Sequence, residues 1–244
     1  MSGLSRMFGR SLAIALLVSL SHLASAFAGA TITGTITYEG KVPTLKPLAM
    51  DADPACAAKH GKPVANEMLL LGSGNTMGNI LVSVKSGLPA GKTYPAPKDA
   101  VVMDQSGCQY KPHVLALQVG QPLKVLNSDG VLHNVHALPK TNGQFNMAMP
   151  GTRKDAEHTF EKAEGAFPVK CDVHPWMTAY VSIFDHPFFG VTKDDGKFKL
   201  ADLPAGTYEI EAWHEKLGSK VEKITVADGE SKTVGFKFTA PGGN

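Results

Sequence analysis

Cys171-Asp-Val-His-Pro-Trp-Met177 is the most informative segment of the chain, and short apolar runs at 167–170 and 180–184 flank it. The stretch places a thiol, an imidazole and a thioether within a single turn of chain. Short apolar runs between turn signals predict strands, so the stretch is predicted to be the loop at one end of a β-hairpin. Two rigid strands would hold its side chains in a fixed arrangement.

Short predicted strands continue on both sides of this loop. The chain has 244 residues with 25 Gly and 16 Pro, which supply frequent turns, and no segment after residue 28 reads as a helix. We therefore predict an all-β fold of sandwich or barrel type. Residues 140–155 are predicted to be a long loop or to hold one helical turn. The predicted strands are 31–38, 79–85, 100–104, 113–119, 122–127, 135–138, 157–160, 167–170, 180–184, 196–200, 207–214, 220–227 and 232–239.

The first 28 residues are predicted to be an export signal. Arg6 and Arg10 precede a short apolar run at 11–20, and small-x-small cleavage sites end at Ala26 and Ala28. The run is too short to span a bilayer, so the mature chain is expected to lack a transmembrane segment and to be periplasmic or secreted. Without these residues the formal charge falls from +2 to zero. We expect no nucleic-acid binding, which calls for a clustered basic face.

A second segment, Asn127-Ser-Asp-Gly-Val-Leu-His-Asn-Val-His136, supplies the histidine that the loop lacks. Two His, one Cys and a weak, long axial Met are the ligands of a blue-copper electron-transfer centre. Thiolate and thioether favour Cu(I) and imidazole suits both oxidation states, so an electron moves with little rearrangement. We predict one type 1 copper site formed by His133, Cys171, His174 and Met177.

Two of these positions have competitors. His136, close to His133 in the same segment, is an alternative imidazole, and Met147 or Met149 can replace Met177 as the axial ligand. Zinc also accepts a set of two His and one Cys. Four protein ligands leave no open coordination position for a substrate, so we expect that the protein is not an enzyme.

The two segments together resemble the copper sites of cupredoxins. Cys-x-x-His-x-x-Met at 171–177 is similar to the short ligand loop of amicyanins. His133-Asn134, preceded by Asn127, resembles the segment that carries the first histidine ligand in amicyanins and plastocyanins. By this resemblance the two His and the Cys are the equatorial ligands and the Met is the axial one.

The resemblance covers about residues 98–185 and implies a cupredoxin Greek-key sandwich. It also implies that Asn134 supports the loop around Cys171 through hydrogen bonds. One position departs from the pattern: Lys170 stands before the cysteine, where amicyanins and plastocyanins carry an aromatic residue. Because of that difference, the resemblance does not specify the route by which an electron would reach the copper.

The chain contains three cysteines. With Cys171 assigned to the metal, an exported protein is expected to join Cys56 to Cys108 in a disulfide. The alternative is a second metal site in which His60 and His113 complete a set with those two cysteines.

A second module is indicated by Asp195-Gly-Lys-Phe-Lys-Leu-Ala-Asp-Leu-Pro-Ala-Gly-Thr-Tyr208, which resembles the Ig-like carboxypeptidase regulatory-like β-sandwich. The C-terminal tail offers too few strands for a sandwich, and strands 31–38 and 79–85 are expected to complete it. Trp213-His-Glu215 is interpreted as strand-end packing. The predicted organisation is a signal peptide at 1–28, an N-terminal β segment at 29–97, a cupredoxin domain at 98–188 and a C-terminal β-meander of the Ig-like module at 189–244.

These features predict an exported copper protein that shuttles single electrons. The ring edge of His174 is expected to lie near the surface, among Pro175, Trp176 and neighbouring apolar residues, where a c-type cytochrome or a dehydrogenase would dock. The amicyanin resemblance implies methylamine utilisation as one setting. The alternative is a β-sandwich protein that binds carbohydrate or protein and carries a copper-storing or structural metal site.

Overall fold

The computed structural model describes residues 29–240, so the predicted export signal lies outside the described residues. Within this range strands dominate, and the α-helix α1 (Pro54–Ala57) has only four residues. Three single 3₁₀ turns occur at Met50–Ala52, Glu67–Leu69 and Ser73–Asn75. The all-β prediction is confirmed. In the range 29–240 no helix is long and apolar enough to cross a membrane.

The strands are numbered in chain order. They are β1 (Ala30–Glu39), β2 (Leu81–Ser86), β3 (Val101–Gln105), β4 (Tyr110–Lys111), β5 (Val114–Gln118), β6 (Pro122–Asn127), β7 (His133–Ala137), β8 (Phe145–Met149), β9 (Asp155–Thr159), β10 (Glu164–Lys170), β11 (Thr178–Phe184), β12 (Phe189–Val191), β13 (Lys197–Leu203), β14 (Gly206–His214), β15 (Gly218–Val226), β16 (Ser231–Thr233) and β17 (Phe236–Thr239).

The middle of the chain forms a sandwich of two sheets. One sheet has the order β4-β3-β6-β9 and the other β5-β11-β10-β7-β8. Strands β3 and β6 run parallel, as do β5 and β11, whereas the remaining pairs are antiparallel. Inward side chains from both sheets share one core, which includes Val125, Val135, Phe160 and Val181. Burial of this apolar surface is the main favourable contribution to folding.

Strand β8 differs from the sequence-based expectation for residues 140–155, which was a long loop or one helical turn. It pairs with β7 along its whole length. Phe145 and Met147 are half-buried against the core and Met149 is fully buried, whereas the residues between them are exposed. This alternation is the period-two pattern of a strand with one covered face, and the surrounding Gly and Pro residues obscured it.

The two ends of the described chain form a second sandwich. Strand β1 pairs with β13, β16 and β17, while β2 joins β12, β14 and β15 in the opposing sheet. Strand β1 alternates strictly between buried and half-buried residues, with Ile32, Ile36 and Tyr38 in the core. Tyr208 and Phe238 lie in the same core.

Residues 43–63, which we call the strap, contain α1 and pack against the first sandwich. Cys56 of the strap is buried in that core and forms a disulfide with Cys108. The predicted disulfide is therefore confirmed. The alternative of a second metal site that uses both cysteines is wrong, because the disulfide consumes both thiols. His60 hydrogen bonds to the Gly107 carbonyl instead.

The two sandwiches meet through the Trp213-His-Glu215 stretch. Glu215 accepts a hydrogen bond from His113, and Trp213 packs edge-on against Tyr180. Burial alone would raise the pKa of Glu215, but the hydrogen bond and charge of His113 lower it. This stretch therefore joins the two sandwiches.

Candidate metal centre

The pairing of β7 with β10 brings the two predicted ligand segments together. Val169 pairs with Ala137 and Lys170 with His136 in an antiparallel register. The chain that leaves β10 at Cys171 therefore runs back beside the start of β7, where His133 lies. The loop is closed by backbone hydrogen bonds in which Cys171 donates to the Met177 carbonyl and Met177 donates to the His174 carbonyl.

Three of the four predicted ligands converge in the interior. His133, Cys171 and His174 are 0%, 3% and 1% exposed, and their ligand atoms lie within 4.8 Å of one another. The two Nδ1 atoms are 2.9 Å apart, and the Cys171 Sγ lies 3.7 Å from His174 Nδ1. Metal–N bonds of about 2.0 Å and metal–S bonds of about 2.3 Å put ligands of one ion about 3–4 Å apart. The cluster therefore fits a single metal ion.

The outer nitrogen of each imidazole faces a carboxylate. His133 Nε2 lies 2.9 Å from an oxygen of Asp129, and His174 Nε2 lies 3.0 Å from an oxygen of Asp53. A carboxylate accepts, so each Nε2 carries the proton and each Nδ1 lone pair faces the centre. Two lone pairs at this distance repel each other unless a proton or a metal cation lies between them, and together with the Cys171 thiol they form the donor arrangement of a metal site.

The Asp129 carboxylate is also held by the turn at Gly107 and Cys108. The backbone N–H groups of Gly107 and Cys108 each donate to it over 2.7 Å. Both residues have positive φ angles, and successive N–H groups in such a turn form an anion-binding concavity. Burial alone would raise the pKa of Asp129, but the hydrogen bonds from His133 and from these N–H groups lower it to about 2.

His174 is covered by the strap. Asp53 bonds to its Nε2, and Cys56 Sγ of the disulfide lies 3.5 Å from the same nitrogen. The neighbouring Trp176 donates its indole N–H to the Cys108 carbonyl. The ring edge of His174 was expected to lie near the surface, but the strap covers it and leaves His174 only 1% exposed, because the strap adds a layer that the sandwich itself does not have.

Asn134 clamps the loop from the strand that carries His133. Its side-chain oxygen accepts from the Asp172 backbone N–H at 2.7 Å and from the Cys171 thiol at 3.3 Å. Burial alone would raise the pKa of the Cys171 thiol, but hydrogen bonding with the His133 side chain, the Asn134 backbone and His174 lowers it to about 7. A thiol with a lowered pKa is readily available as a thiolate ligand.

Tyr110 connects the two segments that carry the predicted ligands. Its hydroxyl donates to the backbone carbonyls of Asn134 and Lys170, and its ring is buried. Burial raises the pKa of Tyr110, so the hydroxyl remains a donor. The Tyr110 side chain thus contacts the backbone of Lys170. An aromatic side chain is therefore close to this position, although residue 170 itself is a lysine.

The alternative ligands predicted from the sequence lie in different places in the structure. His136 Nδ1 donates to the Asp172 carboxylate, and the His136 side chain is 31% exposed, so the structure does not bring it to the cluster. It lies three residues from His133, and an odd spacing on a strand points to the opposite face. Met177 and Met149 are both buried in the core of the first sandwich, with Met149 opposite His133 on β8.

Sequence reasoning missed both carboxylates and Tyr110. Asp129 stands in an Asp-Gly turn four residues before His133, so its place in the segment was a usable signal. Asp53 precedes Pro54 and caps α1, which is a recognisable helix start. Nothing in the sequence, however, relates that helix start to His174, which is 121 residues away.

Comparison with known proteins gives structural neighbours only. No family model and no curated protein matches the chain. A Cu-containing nitrite reductase from Thermus scotoductus is 20% identical over 42% of this chain, with a TM-score of 0.32, and the match spans only 26% of the reductase. A Cu(I) amicyanin variant is 23% identical over 42% of this chain and 97% of its own, with a TM-score of 0.31.

A purple cupredoxin from Nitrosopumilus maritimus is 27% identical over 35% of this chain and 99% of its own, with a TM-score of 0.29. All three TM-scores are low.

Proposed function

We propose that this protein is an exported type 1 copper protein that carries single electrons between redox partners. The observation that supports the proposal most is the convergence of His133 Nδ1, His174 Nδ1 and the Cys171 thiol in a buried cluster. A bound copper ion would supply one-electron redox chemistry at this point. The two imidazoles and the thiol would hold it, and Met177 would be the weak axial ligand that completes a type 1 set.

The surroundings of the cluster favour electron transfer over catalysis. Outer partners fix the donor atoms before metal arrives, so little rearrangement is needed when the charge changes. The ligand-bearing side chains are almost fully buried, and four ligands leave no position for a substrate. We therefore propose that the protein is not an enzyme.

A c-type cytochrome or a dehydrogenase remains our proposed partner. Leu132 and Val173 are large apolar residues that are 50% and 45% exposed, and each directly precedes a histidine of the cluster. Exposed apolar side chains beside a buried redox centre suit a brief contact with another protein. The Cys56–Cys108 disulfide supports an oxidising compartment, periplasmic or secreted.

For the second sandwich we propose the carboxypeptidase regulatory-like class. In the stretch that carries the resemblance, Phe198, Leu200 and Leu203 are buried, and the Tyr208 hydroxyl donates to the Pro204 carbonyl across the turn. Such a module brings no chemistry of its own.

Copper loading tests the main proposal. The mature protein with Cu(II) is expected to show an intense thiolate-to-copper absorption band and a type 1 electron paramagnetic resonance spectrum, and Cys171→Ser is expected to lose both. Absence of the band in the wild type, or its survival in Cys171→Ser, would overturn the proposal.

Copper storage or a structural metal is the second candidate, and the covered edge of His174 favours it. The ring is 1% exposed, and a closed site retains metal well. Zinc is included in this candidate, since two His and one Cys also suit zinc. A site that binds copper but cannot be reduced and reoxidised reversibly would establish storage in place of electron transfer.

A further inference from the structure

Asp53 occupies an unusual place, because it comes from the strap and not from the sandwich that carries the cluster. One carboxylate oxygen accepts from the backbone N–H groups of Ala55 and Cys56, at 2.8 and 3.3 Å, and so caps α1. The other oxygen meets His174 Nε2 at 3.0 Å. Both oxygens are therefore used, and their orientation is fixed by the helix start.

The strap is anchored to the first sandwich at two points that follow Asp53 in the chain. Cys56 is bonded to Cys108, and Lys59 donates to the Asp129 backbone carbonyl at 2.8 Å and forms an ion pair with its carboxylate at 3.3 Å. Asp53 thus reaches His174 from a segment that is attached to the sandwich at independent points. A side chain held in this way acts on its partner with little loss of conformational entropy.

We propose that Asp53 is a positioning residue of the metal centre and that the strap is an integral part of that centre. The carboxylate holds the proton on His174 Nε2, directs the Nδ1 lone pair to the metal, and places a negative charge beside the ring. This inference rests on the proposed function for the identity of the metal, but the contact with His174 does not depend on it.

Two consequences follow for a copper centre. Loss of an outer partner of a metal-bound histidine typically weakens metal binding about 10–100-fold. A negative charge near the centre stabilises the more positive, oxidised state, so removal of that charge favours Cu(I) and raises the reduction potential. A tenfold change in the ratio of the two states corresponds to about 59 mV for one electron.

Asp53→Asn is the decisive variant, because asparagine caps helices as well as aspartate does. Its Oδ1 can still accept from Ala55, while its amide group presents a donor to His174 Nε2–H. Asp51→Asn is the matched control, since Asp51 lies two residues away on the exposed side of the strap. Both variants remove one negative charge from the same segment.

The experiment measures Cu(I) affinity by competition with a chelator and the reduction potential of the copper-loaded protein. Asp53→Asn is expected to bind Cu(I) about tenfold or more weakly and to show a raised potential, with Asp51→Asn close to wild type in both. Equal affinities and potentials for Asp53→Asn and Asp51→Asn would overturn the proposal.

A metal-free measurement separates this inference from the proposed function. In the apo protein, nuclear magnetic resonance is expected to detect a His174 Nε2–H proton that exchanges slowly with water, and Asp53→Ala is expected to lose this protection. A fast-exchanging proton in the wild type would overturn the role of Asp53. Failure of the copper spectrum with a protected proton would overturn only the proposed function.

Discussion

His133 and His174 bring their Nδ1 atoms to within 2.9 Å of each other, and the opposite nitrogen of each ring faces a carboxylate. The two rings come from different parts of the chain, and Asp129 and Asp53 hold them from different directions. The donor atoms are therefore directed to one point by groups that lie outside the cluster.

Replacement of either histidine distinguishes the two candidates on β7. His133→Ala removes a donor atom of the cluster, so copper binding should weaken more than the roughly 10–100-fold expected for an outer partner. His136→Ala changes only a partly exposed contact with Asp172. The measurement is copper titration followed by visible absorption. If His136→Ala lost the band while His133→Ala kept it, His136 and not His133 would be the ligand.

The axial ligand is tested by a pair of methionine variants. Met177→Leu keeps the volume of the side chain and removes the thioether, so the thiolate band should remain while the reduction potential shifts. Met149→Leu makes the same change on β8, opposite His133, and should leave the reduction potential unchanged. Redox titration of both variants gives the answer. A shift confined to Met149→Leu would assign the axial position to Met149.

Asp129→Asn is expected to destabilise the metal-free protein. The Asp129 side chain is 3% exposed, and its two oxygens accept from Gly107, Cys108 and His133. An amide cannot accept all of these, and a buried unsatisfied donor costs about 1–3 kcal/mol. Denaturant unfolding of the apo protein measures this loss.

Asp155→Asn is the control for that experiment. Asp155 pairs with Lys124 at the surface, and its side chain is 57% exposed, so little change is expected. Equal free energies of unfolding for the two variants would contradict the structural role of Asp129.

Acid should loosen the junction between the two sandwiches. The pKa of Glu215 is lowered by His113 below its ordinary value of 4.5. The charged carboxylate therefore stabilises the folded state above that value, and this stabilisation is lost as the pH falls through the lowered pKa. Unfolding of Glu215→Gln should depend less steeply on pH than that of the wild type in this acidic window. Identical slopes would show that Glu215 contributes nothing.

Local patterns predicted much of the fold. Strand β1 alternates in sequence and in burial alike, because its side-chain period and the covered face agree. Strand β8 was missed, although Phe145, Met147 and Met149 have the same spacing. The region from 232 to 239 was predicted to be one strand, but it forms β16 and β17, which both pair with β1.

The cluster was accessible from sequence only in part. Cys171 and His174 lie in one short loop, so their proximity follows from chain connectivity. The closeness of His133 to this loop depends on the register between β7 and β10, which no local pattern gives. It was predicted from the resemblance to cupredoxins. Asp53 depends on the path of the strap across the sandwich, and no local pattern encodes such a long-range contact. The covered edge of His174 was missed for the same reason.

A redox titration of the copper-loaded wild-type protein, followed at its thiolate-to-copper absorption band, is the decisive test of the proposed electron carrier. We expect the band to disappear on one-electron reduction and to return fully on reoxidation, along a single one-electron curve. A band that never forms, or a bound copper that does not cycle, would contradict the assignment of this protein as a type 1 electron carrier.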